Sequence, residues 1–429
     1  MLDKLFKLKA NNTSVRTEVI AGISTFLTMS YIIFVNPSVL SLTGMDKGAV
    51  FVATCLAAAF GSALMGLIAN YPIALAPGMG LNAYFTYSVV LGAGHSWQTA
   101  LGAVFISGLI FLLLSLFPVR EYIINSIPKS LKVSIVSGIG LFLGIIGFKT
   151  AGIIVGSEAT LVKLGNLHNA TTLLAIFGFL LMVALDVMEV LGAIIISILS
   201  VTIIGILLGL TTFKGFFSFP PSIMPTFLQM DLKGALSLGL VTIVFAFLFV
   251  DLFDNTGTLI GIAYRAGFMD VRGKLPRIGR VLLADSSAAI VGAALGTSTT
   301  TSYVESTIGV KAGGRTGLMA IVVAGFFVLA LFMSPLAASV PSFATAPALI
   351  YVACLMAKAF IEVNWDDATE YVPAVITSIT MPLTYSVADG IAFGFISFTA
   401  IKLLTGKFND LNFAIIALTL AFIAKYAFL

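Results

Sequence analysis

Two aspartates interrupt a long apolar run in the segment LFVDLFDNTGTLIG, which spans residues 248–261. Asp251 precedes Asp254 by three residues and Thr258 follows it by four, so a helix would place the three side chains on neighbouring parts of one face. Carboxylates are costly in an apolar environment and mark sites that bind a ligand, an ion or a proton. Both aspartates are therefore candidates for substrate binding or proton coupling. A structural hydrogen bond to another helix is the alternative. It is the preferred interpretation of Asp251, because one site rarely needs both acids.

A second acid, Glu305, lies in LGTSTTTSYVESTIG, residues 295–309, where Ser and Thr alternate with β-branched residues. This composition predicts a short extended stretch followed by a half-helix. Extended backbone at membrane depth must be buried in protein or line a cavity, where its N–H and C=O groups can bind a planar polar ligand. Glu305 and its neighbours Ser302 and Val304 are thus candidate substrate contacts. The alternative for Glu305 is a structural lock that is hydrogen-bonded to the backbone.

A similar Gly- and Pro-rich break occurs earlier in the chain, in APGMGLNAYF, residues 76–85. There Asn82 offers an amide, and Tyr84 and Phe85 offer aromatic faces. Tyr303 offers another ring in the later segment. Aromatic rings stack on planar bases, so all four residues are candidate ligand contacts. Packing between helices is the alternative for each ring.

The composition places these residues in a membrane protein. Of 429 residues, 59% are hydrophobic and 10% are charged, whereas soluble domains carry about 25% charged residues. The excess of 23 basic over 19 acidic residues is too small to indicate nucleic acid as a partner. The sequence has no Walker loop and no zinc-type His/Glu helix, so we expect neither an ATP-driven pump nor an enzyme, and no cofactor besides a coupling proton. Cys55 and Cys354 lie in apolar segments, which favours buried thiols over a disulfide.

The sequence contains about fourteen candidate membrane spans, each of which needs roughly 20 apolar residues, and hydropathy alone would count twelve of them. They lie near residues 19–40, 49–69, 73–90, 99–118, 131–149, 171–186, 189–210, 236–256, 279–296, 297–311, 316–335, 345–361, 370–401 and 412–428. The third and tenth are poor helices, and Pro382 and Gly390 interrupt the thirteenth. The N-terminus lacks the features of a cleaved signal peptide. Lys and Arg collect at the N-terminus and near residues 120–132, 265–280 and 311–315, so the positive-inside rule places both termini in the cytoplasm.

The two halves of the chain carry a weak internal repeat. LGAVFISGLIFLLLSLFP (101–118) and LMAIVVAGFFVLALFMSP (318–335) are identical at six of eighteen positions without gaps. The offset of 217 residues, from Gly108 to Gly325, also aligns the Gly- and Pro-rich segment near residue 80 approximately with the Ser- and Thr-rich segment near residue 303. Seven spans per half is an odd number, so the halves would be inverted relative to one another. Inverted repeats with interrupted helices at the midplane are typical of secondary transporters.

These segments resemble the nucleobase–ascorbate transporter superfamily, in particular its AzgA-like adenine/guanine/hypoxanthine permease branch. The resemblance extends along nearly the whole chain and is strongest in residues 17–37, 70–85, 252–261 and 296–317. It implies an all-α polytopic membrane protein of about 14 transmembrane spans in a 7+7 inverted repeat, with short extended strands and half-helices in spans 3 and 10. It also implies a core domain (spans 1–4 and 8–11) in residues 1–118 and 235–336. A gate domain (spans 5–7 and 12–14) would then comprise residues 119–234 and 337–429.

In that family, an acid on the eighth span and another on the tenth contact the base or carry the coupled proton. The matching positions here are Asp254 in DNTG and Glu305 in ESTIG, with Asp251 as the second choice. Relatives often have a histidine one turn after the eighth-span acid, and Thr258 at that position puts a histidine-assisted proton step in doubt. The resemblance thus implies import of guanine, hypoxanthine or adenine by proton symport. Asp254 would carry the proton and Glu305 would bind the base, or the reverse.

Other functions fit parts of this pattern. A sulfate or dicarboxylate transporter of the same architecture would need a basic residue at the ligand, whereas Lys311 and Arg315 lie near the cytoplasmic end and two acids would repel an anion. A channel would need a continuous polar pore, and an intramembrane hydrolase would need a second aspartate in matching context on another helix. We expect an integral protein of the bacterial inner membrane, with a purine nucleobase and lipid as partners, that forms a homodimer through the gate domain.

Overall fold

The computed structural model of the chain describes residues 2–116, 126–269 and 275–428. Within these ranges it describes every side chain except those at positions 116, 238–242, 253–254, 256–257, 260–261, 264–265, 425 and 428. Helices dominate, and nine helical segments in the described ranges are long and apolar enough to cross a membrane. Three shorter apolar helices add to them: Ala193–Leu207, Ile243–Leu252 and Phe413–Ala424. The prediction of an all-α integral membrane protein is therefore confirmed.

In the first half of the chain, long helices alternate with short connections. The helices are α1 (Leu2–Phe6), α2 (Val15–Met29), α3 (Ile32–Leu40), α4 (Lys47–Leu64), α5 (Met79–Ala83), α6 (Trp97–Leu116), α7 (Lys129–Thr150), α8 (Ala170–Val187) and α9 (Ala193–Leu207). The side chains of Ser14 and Asp46 cap α2 and α4 by accepting hydrogen bonds from first-turn N–H groups. A π-helix, Met65–Ala69, extends α4, and a second, Tyr84–Gly92, extends α5.

The second half contains one helix of 29 residues and several shorter ones. They are α10 (Leu232–Ala235), α11 (Leu238–Ala266), α12 (Ile278–Leu295), α13 (Ser306–Lys311), α14 (Gly317–Ala330), α15 (Ser334–Ser339), α16 (Ser342–Ala357), α17 (Ala368–Thr384), α18 (Val387–Leu404) and α19 (Phe413–Phe428). Gly296 ends α12 with a φ of +97°, a conformation that side chains other than glycine rarely adopt. The chain can therefore turn there into the second broken segment.

The two predicted breaks are short strands that pair with one another. β1 (Leu75–Pro77) and β4 (Thr300–Ser302) run antiparallel, with Leu75 opposite Ser302. Backbone hydrogen bonds of 2.9 and 3.0 Å extend the pairing on either side. All strand residues are buried, so pairing satisfies backbone groups that water does not reach. Each strand leads into a short helix, α5 or α13, and the extended stretches predicted at both places are present.

The helices pack in two groups. In one group, α14 packs against α2 and α4, and α12 packs against α4 and α6. In the other, α7 packs against α16 and α17, and α8 packs against α9 and α16. Glycines permit the close approaches, as at Gly147, where a Cβ would lie 2.7 Å from the side chain of Ile350. Each group therefore combines helices from both halves of the chain.

The stretch 370–401, predicted as one span, is two helices, α17 and α18. Tyr385 ends α17 in the left-handed conformation, with a φ of +52°. The helices run antiparallel, because Lys402 near the end of α18 contacts Glu370 near the start of α17. The prediction of one span was wrong because the turn lies at Tyr385, whereas Pro382 is accommodated inside α17.

A β-hairpin lies in the connection between the fifth and sixth predicted spans. Its strands, β2 (Ile154–Ser157) and β3 (Leu161–Leu164), pair antiparallel and are largely exposed. Both cysteines are free thiols. Cys55 is buried as expected, but Cys354 is exposed, so the expectation of a buried thiol is wrong there.

Candidate functional site

Hydroxyl groups from neighbouring segments hold the β1–β4 pair in place. Ser62 on α4 donates to the carbonyl of Leu75 at 3.0 Å and accepts from its N–H at 2.9 Å. Ser306, the first residue of α13, accepts from the N–H of Ala74 at 3.0 Å. Buried backbone groups at the edges of so short a sheet would otherwise lack partners. The point where the two strands pair is therefore fixed by contacts to α4 and α13.

Glu305 lies directly before α13, three residues after β4 ends. Its Oε1 accepts a 2.8 Å hydrogen bond from the hydroxyl of Tyr31, which lies between α2 and α3. Tyr31 is only 2% exposed, whereas the neighbouring Val304 is 44% exposed. Glu305 itself is half-buried. The carboxylate is thus tied to a buried tyrosine while part of its side chain stays accessible to a ligand.

Two buried asparagines contact serines that lie on and beside β4. Asn82 on α5 accepts a hydrogen bond from Ser298, and Asn255 on α11 accepts one from Ser302 at 2.5 Å. Among the residues that the structure describes, neither Nδ2 group has a hydrogen-bond partner. Rotating either amide by 180° exchanges its oxygen and nitrogen, and one of the two atoms still has no hydrogen-bond partner. A buried polar group without a partner costs about 1–3 kcal/mol, so these two amides are candidate ligand contacts.

The predicted aromatic residues have packing or hydrogen-bonding partners within the protein. Tyr84 and Phe85 are buried, and their rings lie 4.8 and 6.5 Å from the ring of Phe247 on α11. The hydroxyl of Tyr303 donates to the carbonyl of Pro77 at 2.6 Å, which links the end of β4 to β1. These contacts agree with the packing alternative for each ring. Stacking of a ligand on them stays a prediction.

The acids of α11 lie within the helix beside the strand pair, since α11 packs against β4 and α13. Asp251 is 2% exposed. The backbone of Asp254 is helical, but its side chain lies outside the described side chains, so its predicted contacts stay predictions. Thr258, one turn further on, is half-buried. In the described ranges, no group of three or more His, Cys, Asp or Glu residues could hold a metal ion.

Two residues with key contacts were not predicted from the sequence. The first is Tyr31. Its hydroxyl lies in the apolar stretch TMSYIIF, and this could have indicated a hydrogen bond, because a buried hydroxyl needs a partner. Glu18 was the other. It is fully buried on α2, and its carboxylate accepts hydrogen bonds from the backbone N–H groups of three residues at 2.8–3.4 Å. These residues are Arg315, Thr316 and Met319, so Glu18 caps the N-terminus of α14.

Comparisons with known proteins agree on the class of this protein. The model of the Xan_ur_permease family, described as a permease family, matches residues 16–393. The chain is 49% identical over 429 residues to the adenine permease AdeP of Escherichia coli (strain K12), which covers 100% of this chain and 96% of that protein. It is 48% identical over 436 residues to the guanine/hypoxanthine permease PbuG of Bacillus subtilis (strain 168), which covers 99% of each.

The fold also matches that of a solved transporter. The transmembrane domain of the cyanobacterial bicarbonate transporter BicA aligns with a TM-score of 0.65 at 16% identity, over 88% of this chain and 96% of that one. This likeness shows the fold. The sequence matches, which span nearly the whole chain, confirm the resemblance to AzgA-like permeases. The chain therefore belongs to the Xan_ur_permease family and is a membrane permease, not an enzyme.

Proposed function

We propose that this permease imports purine nucleobases (guanine, hypoxanthine or adenine) by proton symport across the bacterial inner membrane. Relatives that match along the full chain are permeases for adenine and for guanine and hypoxanthine. The observation that carries the proposal is the group of polar side chains around the β1–β4 pair. It consists of Glu305 with its Tyr31 partner and the two buried amides of Asn82 and Asn255.

These side chains complement the edge of a purine, which presents N–H donors and ring-nitrogen acceptors. In the proposed complex, Glu305 accepts hydrogen bonds from the base, and the Nδ2 groups of Asn82 and Asn255 donate to it. A ligand without matching groups would leave buried polar atoms unpaired, and such a penalty gives strong discrimination. Tyr84, Phe85 and Tyr303 are the proposed rings near the base.

The proposed transport cycle moves a core domain against a gate domain, with the boundaries 1–118, 119–234, 235–336 and 337–429. The two packing groups of helices support this division. Helix α16 of the proposed gate packs against α3, and Tyr31, which immediately precedes α3, donates a hydrogen bond to Glu305. Glu305 would thus lie where the gate faces the core, as alternating access requires.

The proposed 7+7 repeat assigns α17 and α18 to spans 13 and 14, because both helices replace one predicted span. Each half then contains seven segments, and β1 with α5 corresponds to β4 with α13. In this arrangement α19 is an additional span. The predicted cytoplasmic position of the C-terminus would then no longer follow. A homodimer through the gate domain stays part of the proposal.

Proton coupling is assigned to Asp254, and base binding to Glu305. Burial favours the neutral form of a carboxyl group, because the charged form loses its solvation. An acid that is protonated from outside would therefore favour the loaded state, and release of proton and base inside would complete the cycle. The opposite assignment of the two acids is distinguished by the variants below.

Anion transport is the second candidate, since BicA has the same fold and is a bicarbonate transporter. The fold therefore does not decide the substrate. Asp251 lies on α11, and Glu305 lies directly before α13, which packs against α11. Both residues are acidic, and acids near the strand pair would repel an anion. The side chains around the strands thus favour a neutral, hydrogen-bonding ligand over an anion.

The test is uptake into proteoliposomes with and without an inward proton gradient. Radiolabelled hypoxanthine, guanine, adenine, xanthine and uracil would be compared with bicarbonate and sulfate. We expect purine uptake that rises with the gradient and disappears with an uncoupler. Gradient-independent uptake of purines would contradict the coupling alone, and uptake of an anion instead of any base would contradict the substrate class.

Three variants separate the roles of the acids. Asp254→Asn should still bind purines but lose gradient-driven accumulation. Glu305→Gln should lose binding. Glu158→Gln replaces an exposed acid in the β-hairpin. This control variant should retain both purine binding and gradient-driven accumulation. Lost binding in Asp254→Asn together with retained binding in Glu305→Gln would reverse the assignment.

A further inference from the structure

A separate cavity lies between the start of α4, α15 and the long connection from α9 to α10. Its volume is about 420 Å³. The residues that line it include Lys47, Phe51, Lys214, Pro221, Ser334 and Pro335. It lies at the end of the spans opposite to Glu18 and Arg315, because α2 and α3 together form the first span and α4 begins where that span ends. None of its lining residues belongs to the strand-pair site.

Two lysines face this cavity and are close enough to repel one another. Lys47 is the first residue of α4, and the charge of Lys214 acts on it. The backbone N–H of Lys214 donates to the hydroxyl of Ser339 at 2.8 Å. The connection is held again at Ser218, whose N–H donates to the carbonyl of Phe332 at 2.9 Å. The loop therefore holds Lys214 at the wall of the cavity, where its positive charge and that of Lys47 together favour an anion.

The remaining walls of the cavity are mostly apolar. Phe51, Pro221 and Pro335 supply rings, and Ala337 and Ala338 supply methyl groups. A fully hydrated small ion would gain nothing from such walls, whereas a ligand with an anionic group and an apolar body would bury both. Lys47 also begins a segment that crosses the membrane, so the cavity lies at the level where lipid phosphates meet the apolar interior.

We propose that this cavity binds a phosphate group carried by an amphiphile, with Lys47 and Lys214 as its two cationic contacts. Asp46 is the nearest acid in sequence. Its Oδ1 accepts a 2.7 Å hydrogen bond from the N–H of Ala49, so this oxygen caps α4. Phosphate chemistry is shared by a lipid headgroup and by free phosphate compounds, and the test distinguishes these sources.

The test measures thermal unfolding of the purified protein in neutral detergent. Lysophosphatidylglycerol, lysophosphatidylcholine and sodium phosphate are titrated separately at constant ionic strength. We expect saturable stabilisation by lysophosphatidylglycerol. Saturable stabilisation by sodium phosphate to the same extent would assign the site to free phosphate compounds instead of a lipid. Absence of saturable stabilisation by all three probes would overturn the proposal.

Variants locate the binding site. The double variant Lys47→Gln/Lys214→Gln should weaken the apparent affinity by about tenfold for each lysine removed, since hydrogen bonds to charged groups are worth roughly that factor. Lys233→Gln replaces an exposed lysine on α10 at the same end of the molecule. This variant should leave the apparent affinity unchanged. Lys214→Gln alone, at an exposed loop position, tests the site if the double variant folds poorly. Equal affinity in all variants would refute the assignment.

Discussion

The hydroxyl of Tyr31 donates a 2.8 Å hydrogen bond to Oε1 of Glu305, although 274 residues separate them in the chain. Tyr31 lies at the interruption between α2 and α3, and Glu305 lies at the transition from β4 to α13. The first span and the second broken segment therefore meet at one carboxylate. A change in either break would move the carboxylate, so the contact couples backbone geometry to the proposed base-binding site.

Tyr31→Phe should weaken nucleobase binding while the protein stays folded. The ring is 2% exposed and its packing is retained, but the carboxylate loses a charge-assisted hydrogen bond worth about 1.5–3 kcal/mol. We expect at least about a tenfold rise in the dissociation constant, measured by equilibrium binding of radiolabelled base. Tyr71→Phe is the matched control, because its hydroxyl donates to the carbonyl of Pro276 instead. Equal affinities in both variants would exclude a positioning role for Tyr31.

Replacing Asn255 and Ser302 together should separate stability from binding. Asn255→Leu with Ser302→Ala removes both partners of a buried hydrogen bond and an unpaired amide group, which is close to neutral for folding. Nucleobase affinity should fall at least about tenfold, since a donor to the base is lost. The control is Asn412→Leu, because both polar atoms of the Asn412 amide have partners within the protein, the carbonyl of Ser126 and the N–H of Ile415. The control variant should lower the melting temperature without changing nucleobase affinity. A lower melting temperature with unchanged affinity in the double variant, together with lost affinity in the control, would contradict the assignment of Asn255 to the base.

Glu18→Gln should destabilise the protein and leave substrate selectivity intact. The carboxylate accepts hydrogen bonds from backbone N–H groups at the start of α14, and the amide nitrogen of glutamine would face those donors. We expect a loss of about 1.5–3 kcal/mol in the free energy of unfolding. Thermal unfolding in detergent measures it, with the exposed Glu158→Gln as control. A change in the preferred base would instead assign Glu18 to the substrate site.

Lys402→Met should be strongly destabilising. Lys402 is 1% exposed, and its Nζ lies 2.5 Å from Glu370 and 2.7 Å from Asp410. Removing the cation leaves the carboxylates of Glu370 and Asp410 without it. Because these carboxylates are 21% and 47% exposed, we expect a loss between the value of about 1 kcal/mol for a surface pair and that of about 3–5 kcal/mol for a fully buried one. Lys407→Met is the matched control, since Lys407 is 42% exposed and a surface pair contributes about 1 kcal/mol or less. Melting temperatures that fall equally in both variants would show that burial does not strengthen the Lys402 contacts.

The ion pair of Asp367 and Lys407 should make stability depend on pH only under acidic conditions. The hydrogen bond from Lys407, together with hydrogen bonds from Thr369, holds the pKa of Asp367 well below its usual range. Because the folded pKa lies below the unfolded value of about 3.9, the contribution is complete above that value and is lost as pH falls through the folded pKa. Asp367→Asn should therefore flatten the decline of melting temperature below about pH 4. An identical decline in both proteins would contradict the shift.

The sequence predicted the membrane class, most span positions, the two broken segments and the acids on the eighth span and near the tenth. These features depend on local properties. A span needs a run of apolar residues, and extended backbone in the membrane shows itself by Gly, Pro, Ser and Thr where a helix would be apolar. The hairpin of α17 and α18 was not predicted, because its turn, at Tyr385, contains no glycine. A non-glycine residue in the left-handed conformation gives no signal in composition.

Only the tertiary structure decided which polar groups meet. The register of Leu75 with Ser302, the hydroxyl of Tyr31 at Glu305 and the amide of Asn255 beside Ser302 join segments that are distant in sequence. A sequence shows that a buried hydroxyl or amide needs a partner, but many residues can satisfy it. The choice depends on how helices from both halves pack. That packing is set by many small contacts distributed over the whole molecule, so no local pattern in the sequence reveals it.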